Sequence, residues 1–248
     1  MNGNDKAYTE GIQVKSKFVK WFDNYWYHYK WITIGVIFLA VVLLVGVFQA
    51  TEKKKEDITI LYSGRYQLNY READAIRGVF NAVMPEDFDS NGEKYTGIVE
   101  YQIYSEEQIK KIEAVTDESG IRLDINNQHN TNNYRNFYDY VKVGESAICL
   151  LDPWLYKELS ASGRLLPIAT ALGEASGFEA DVNGVYLEDT AIYKEYSALR
   201  VLPGDTVVCF LRQPVIGKIS NDENYQNEIA MLRAILTYKG SENGDAVQ

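Results

Sequence analysis

From Ile32 to Ala50 the chain reads ITIGVIFLAVVLLVGVFQA, a stretch with no charged position. At ~1.5 Å of rise per residue it forms a helix of about 28 Å, close to the ~30 Å hydrocarbon core of a bilayer. Only a helix satisfies its own backbone in lipid, so the pattern predicts one membrane-spanning helix over 32–50. The preceding WFDNYWYHYKW crowds Trp21, Phe22, Tyr25, Trp26, Tyr27, Tyr29 and Trp31 beside Lys20 and Lys30. Amphipathic rings and long lysines favour the headgroup level, which makes this an interfacial belt closing a short tail, 1–31. TEKKKED follows as a charged linker, 51–57. The apolar run is longer than a signal peptide's usual 7–15-residue core, and Phe48-Gln49-Ala50 lacks the small-x-small cleavage pattern. No cysteine near its end offers a lipid attachment point. The expectation is an uncleaved signal anchor.

Beyond the linker the pattern changes to alternating strands and helices. Ile58–Tyr62 predicts a strand, with Ser63-Gly64 as a loop after it. Asn69 and Glu72 form a capping box, and Ala73, Ile76, Phe80 and Val83 make one apolar face that ends at Pro85. Tyr95–Tyr104 has strand character, and Ser105 with Gln108 opens a second capped helix reaching Val115. NNQHNTNN reads as a polar loop, followed by a short helix over Tyr134–Val141. Ser146–Leu151 predicts a buried strand. Asp152 then caps a helix whose first residue is Pro153, with Trp154, Leu155 and Leu159 inward and Gly163 just past its end. A short strand near Val185–Leu187, a strand at Thr206–Arg212 and a last helix over Asn224–Tyr238 complete the series. Such alternation predicts one α/β domain, 58–240, on a parallel or mixed sheet, with a disordered polar tail over 241–248.

Charge refines the picture. Five lysines against Asp5, Glu10 and Asp23 leave residues 1–31 at +2, so of the formal −10 the remainder carries −12. Nucleic acid and anionic membrane surfaces attract basic patches, so neither is expected to bind the domain. Basic residues flank both sides of the span almost equally. The short N-terminal tail is therefore expected in the cytoplasm and the large domain outside the cell, because long domains translocate largely regardless of charge.

Candidate chemistry is sparse. His28 falls in the aromatic belt and His129 in the polar run, so no histidine-based triad forms, and nucleophile-elbow, zincin and phosphate-loop patterns are absent. Cys149 and Cys209 lie in apolar strands without metal-ligand spacing; they read as buried hydrophobes, or as a disulfide if their strands are neighbours. No enzyme activity, metal or cofactor is expected. Nineteen tyrosines, among them Tyr134, Tyr138 and Tyr140, suit either half-buried packing or a cleft for carbohydrate or peptide.

The run Gly144-Glu145, Ala147–Asp152, Trp154 and Gly163–Ile168 resembles a segment of the extracellular solute-binding proteins of ABC importers. The first strand with Ser63-Gly64 is similar to that family's first strand and ligand loop, and YWYHYKW before the span resembles membrane-anchored proteins of unassigned role from Gram-positive anaerobes. The resemblance implies a reduced periplasmic-binding-protein fold, carried on a membrane span where the family has a lipidated cysteine. Ligands of open α/β sheets sit beyond the carboxyl ends of strands, which places the candidate binding residues at Tyr62, Ser63, Gly64, Asp152, Pro153 and Trp154. The expected ligand is a sugar, peptide or amino acid, or else a partner protein. The alternative is a scaffold of a membrane complex whose ligand cleft is degenerate.

Overall fold

The apolar run and the aromatic belt belong to one helix. In the computed structural model, which describes residues 17–51, 55–114, 125–173 and 177–240, α1 covers Lys17–Thr51. Its segment Trp21–Gly46 has a mean hydropathy of 2.2 over its most apolar window and buries none of it, so by length and composition it can cross a membrane. The helix begins well before the expected boundary at residue 32 because the belt rings stack along it at one-turn spacing: Trp21 on Tyr25, Phe22 on Trp26, Tyr25 on Tyr29. Those pairs make the belt a continuation of the span. The unit Met1–Lys54 ends in the linker, and Lys55–Gln248 forms the second unit.

The second unit is built on a mixed five-stranded sheet in the order β2-β1-β3-β5-β4. β1 (Ile58–Gly64) lies parallel to both β2 (Thr96–Gln102) and β3 (Ile148–Leu151). β5 (Val207–Phe210) runs antiparallel to β3 and to β4 (Gly184–Tyr186). Every residue of β1, β3 and β5 is buried, so helices cover both faces, as unbroken apolar strands require. Ser63 and Gly64, expected as a loop, are the last rungs of β1, paired with Tyr101 and Gln102. Cys149 and Cys209 are direct partners across β3 and β5, and both thiols are free and buried.

Local signals explain most helices. α2 (Tyr70–Val83) carries the full Asn69–Glu72 capping box and buries Ile76, Val79 and Phe80. α3 (Glu106–Ala114) starts at the reciprocal Ser105–Gln108 bonds, while Val115, its expected end, lies outside the described residues. α5 (Pro153–Ala161) begins at Asp152 and closes with Gly163 at φ +68, where Arg164 N–H reaches the Leu159 carbonyl and Gly163 N–H that of Ser160. α8 (Asp222–Leu236) ends the domain, packing on α2 and β1. The expected disordered tail, 241–248, is also outside the described residues.

One polar run behaves differently from its expectation. NNQHNTNN is the first half of α4 (Asn127–Val143), not a loop. Asn126 caps it by accepting the His129 N–H, and the asparagines serve the chain leaving edge strand β2. Asn130 donates to the Tyr104 carbonyl and accepts the Tyr104 N–H, and Asn133 donates to the Gln102 carbonyl. Backbone groups that lack a strand neighbour thus find amide side chains, and this docking outweighs the low helix propensity of asparagine. Two short helices without periodicity, α6 (Ile168–Leu172) and α7 (Ala191–Glu195), had no separate expectation.

α8 also carries a carboxyl into the interior. Glu228 is 2% exposed and accepts N–H groups of Ala147 and Ile148 at 3.3 and 3.2 Å, at the start of β3. Burial pushes its pKa up to about 8, against the lowering effect of those two bonds. The folded protein therefore keeps a proton that the unfolded chain releases near the ordinary value of 4.5. Stability from this group is complete below that value and falls as pH rises toward 8. Glu228→Gln, which stays neutral, is expected to raise the melting temperature above pH 8 by on the order of 5 °C and to flatten its pH dependence. Thermal melts of both proteins between pH 5 and 9 measure this.

Candidate functional site

The three parallel strands deliver their carboxyl ends to one edge of the sheet. β1 and β3 stop side by side, with the Asp152 N–H bonded to the Ser63 carbonyl at 2.9 Å. Asp152 then does three things at once. Its Oδ1 accepts the Trp154 N–H at 3.3 Å, and its Oδ2 accepts Arg65 Nη1 at 3.1 Å and Gln108 Nε2 at 3.0 Å. Arg65 continues outward, donating from Nη2 to Asp205 Oδ1 at 2.8 Å. One side chain so joins the exits of β1 and β3 to the first turns of α3 and α5.

Beside this hub lies a cavity of about 850 Å³, walled by the starts of α3, α4 and α5. Its aromatic wall is Tyr134 stacked on Trp154, ring centroids 6.0 Å apart and planes within 6°. Tyr134 and Tyr138 both donate to Glu158 Oε2, at 3.1 and 3.0 Å. Burial pushes both phenols' pKa values up, which keeps them protonated as donors to that carboxylate. Across the cavity stand Ser105, Glu106, Glu107 and Asn130, with Lys157 on the α5 side. The Trp154 indole N–H is buried and meets no acceptor. Three carboxylates against one ammonium favour a neutral or cationic ligand. Helix starts often bind anions, but here Ser105, Asn126 and Asp152 already occupy free N–H groups of all three.

Of the six residues expected at the site, only Trp154 lines the cavity. Tyr62, Ser63 and Gly64 are sealed inside: the Ser63 hydroxyl donates to the Tyr101 carbonyl, and the buried Tyr62 hydroxyl has no hydrogen-bond partner. A Cβ at Gly64 would stand 3.3 Å from that hydroxyl and 3.6 Å from Asp152 Cβ, so the glycine lets Tyr62 and Asp152 approach. Asp152 holds the site from behind, and Pro153 opens α5. Sequence reasoning passed over Arg65, Gln108, Asn130, Lys157 and Glu158. The tyrosine cluster and the asparagine-rich run were the available signals, and both map to the cavity through α4.

Neither a protein-family profile, nor a curated protein, nor a solved structure matches this chain.

Asp152→Ala removes a helix cap together with the partner of Arg65 and Gln108, and is expected to cost about 2 kcal/mol. The outer pair joins side chains 39% and 46% exposed, so Asp205→Ala should cost less than about 0.5 kcal/mol. Urea denaturation followed by near-ultraviolet circular dichroism separates the two.

Proposed function

We propose that this chain is a membrane-tethered, extracytoplasmic binding domain that takes a neutral or cationic small solute into the cavity between α3, α4 and α5, without catalysing a reaction. The observation that carries the reading is the wall formed by Tyr134 and Trp154 facing amide, hydroxyl and carboxylate groups. Aromatic faces with a few convergent polar groups are how proteins hold sugars, amino acids and peptides, and a volume of about 850 Å³ is in the range of such sites. The resemblance to solute-binding proteins supports the same reading, since the cavity lies at the carboxyl ends of parallel strands. Helix α1 supplies the tether, with the N-terminus in the cytoplasm and the domain outside the cell.

A second reading is favoured by one observation. The second unit holds a single sheet, so among the described residues there is no second lobe to close over a solute. A scaffold whose partner is another membrane protein would use the same open cavity to accept a side chain or a chain end.

Thermal-shift screening of the full chain in detergent micelles against sugars, amino acids and short peptides identifies ligands. Trp154→Ala and Tyr134→Ala are each expected to weaken a ligand so found by about tenfold or more. Unchanged affinity in both removes the cavity as the site. Topology has its own test: protease added to intact cells should digest the domain and spare the N-terminal segment, whereas a protected domain reverses the orientation.

A further inference from the structure

Because β5 runs antiparallel to β3, it returns the chain to the edge of the sheet where β1 and β3 begin. The loop it enters there reads Gln213-Pro214-Val215-Ile216-Gly217-Lys218. Val215 is 95% exposed and Ile216 64%, and Val143, the last residue of α4, is 43% exposed. Close backbone packing brings the three together. A Cβ on Gly144 would run into the Pro214 ring and the Ile216 carbonyl, and one on Gly217 into the Val143 carbonyl. Among the described residues of the second unit, the large apolar side chains left exposed are these three, Tyr70 and Tyr186. Single exposed apolar residues need no explanation, but three of five gathered at one place form a patch.

The base of this loop is fixed by polar bonds. Ile219 N–H donates to the Gly144 carbonyl at 3.0 Å, which ties the loop to the end of α4. Gly217 turns at φ +96, and its carbonyl accepts the Ser220 hydroxyl at 2.7 Å. Gln213 Nε2 donates to Asp222 Oδ1 at 2.9 Å, and Asn224 Nδ2 to the Lys218 carbonyl at 2.9 Å. Val215 and Ile216 are therefore held out on a defined turn, where water is the costly neighbour for them. The same loop touches the segment by which the chain arrives from its apolar run: Lys218 Nζ donates to the Glu56 carbonyl at 3.5 Å. Glu56 follows Ala50, the end of that run, by six residues. At ~3.5 Å per extended residue it stays within about 20 Å of the end of the span. The headgroup layer takes up about 5–8 Å of that reach.

We propose that Val215 and Ile216, with Val143 behind them, insert into the interface of the bilayer that holds the chain, as a second and reversible lipid contact of the domain. The inference rests on reading 32–50 as a membrane tether. Apolar side chains on interfacial elements enter the boundary between headgroups and acyl chains by about 5–10 Å, a depth that two side chains on a projecting turn can use. Charge does not drive the contact. Lys142 and Lys218 flank the tip, but Asp87, Asp89 and Glu145 share this edge of the sheet, so no basic patch is offered and zwitterionic lipid suffices. The tether makes the contact effective by keeping the loop near the surface, so a weak apolar affinity is enough. With the amino-end edge against lipid, the cavity at the carboxyl ends of β1 and β3 opens away from the membrane, toward solutes.

The experiment uses the full chain reconstituted into phosphatidylcholine vesicles, with a nitrobenzoxadiazole fluorophore on Val215→Cys or, at the opposite edge of the sheet, on Tyr70→Cys. Cys149 and Cys209 are buried, so the unsubstituted chain is the labelling blank. Lipid carrying a nitroxide at a shallow acyl carbon is expected to quench the probe at 215 at least about twofold more than the probe at 70, with blue-shifted emission at 215 alone. A probe on Val143→Cys should lose its quenching in a chain that also carries Val215→Ser and Ile216→Ser, two exposed changes that leave the melting temperature unaltered. Retention of the chain by the vesicles in alkaline carbonate reports the tether separately. A retained chain whose probe at 215 is quenched no more than that at 70, or whose Val143 probe ignores the serine pair, overturns the lipid contact and leaves the tether standing. Release by carbonate overturns both.

Discussion

A carboxylate whose side chain is 4% exposed must be met by donors from every direction, and Asp152 is met from three elements. Its oxygens take the first free N–H of α5, the guanidinium that leaves β1 and the amide from the first turn of α3. These bonds decide where the chain goes after the sheet ends. They set α3 and α5 at a fixed separation, and α4, held to the exit of β2 by Asn130 and Asn133, closes the third side. The cavity is what those three anchorings leave between them. Breaking the hub therefore acts on the site without touching a residue that lines it, apart from Trp154, whose N–H the hub caps.

How much of this the chain's letters disclose depends on the range of the interaction. Capping boxes at Asn69–Glu72 and Ser105–Gln108, the Asp152-Pro153 start and the Gly163 stop are contained within a few residues, and each appears in the structure where its spacing places it. The apolar run of α1 is equally local, although stacking of the belt rings carries the helix further toward the N-terminus than hydropathy alone implies. What fails is long-range. NNQHNTNN reads as loop because its asparagines have no local reason to be helical, and the reason lies in the unpaired backbone of β2, about thirty residues earlier. Ser63-Gly64 reads as a turn dipeptide, but parallel pairing with Tyr101 and Gln102 keeps it extended.

The candidate site follows the same division. Strand-end reasoning points to the edge of the sheet beside this cavity and names one residue of its wall, Trp154. It cannot find Arg65, whose role depends on Asp152 and Asp205, 87 and 140 positions away. Nor does spacing along the chain reveal that Asp57 joins Asp87 and Asp89, because the three carboxylates meet only once β1 and β2 are paired. The two edges of the sheet thus carry separate chemistry, aromatic and polar at the carboxyl ends, acidic at the amino ends.

Under the proposed function the space between α3, α4 and α5 receives a ligand. Hydrogen–deuterium exchange of the full chain in micelles, with and without a ligand selected by thermal shift, tests it most directly. Slowed exchange is expected over 106–109, 127–134 and 154–158, with α8 unchanged. Slowing confined to α8, or absent from all three helix starts, would contradict it.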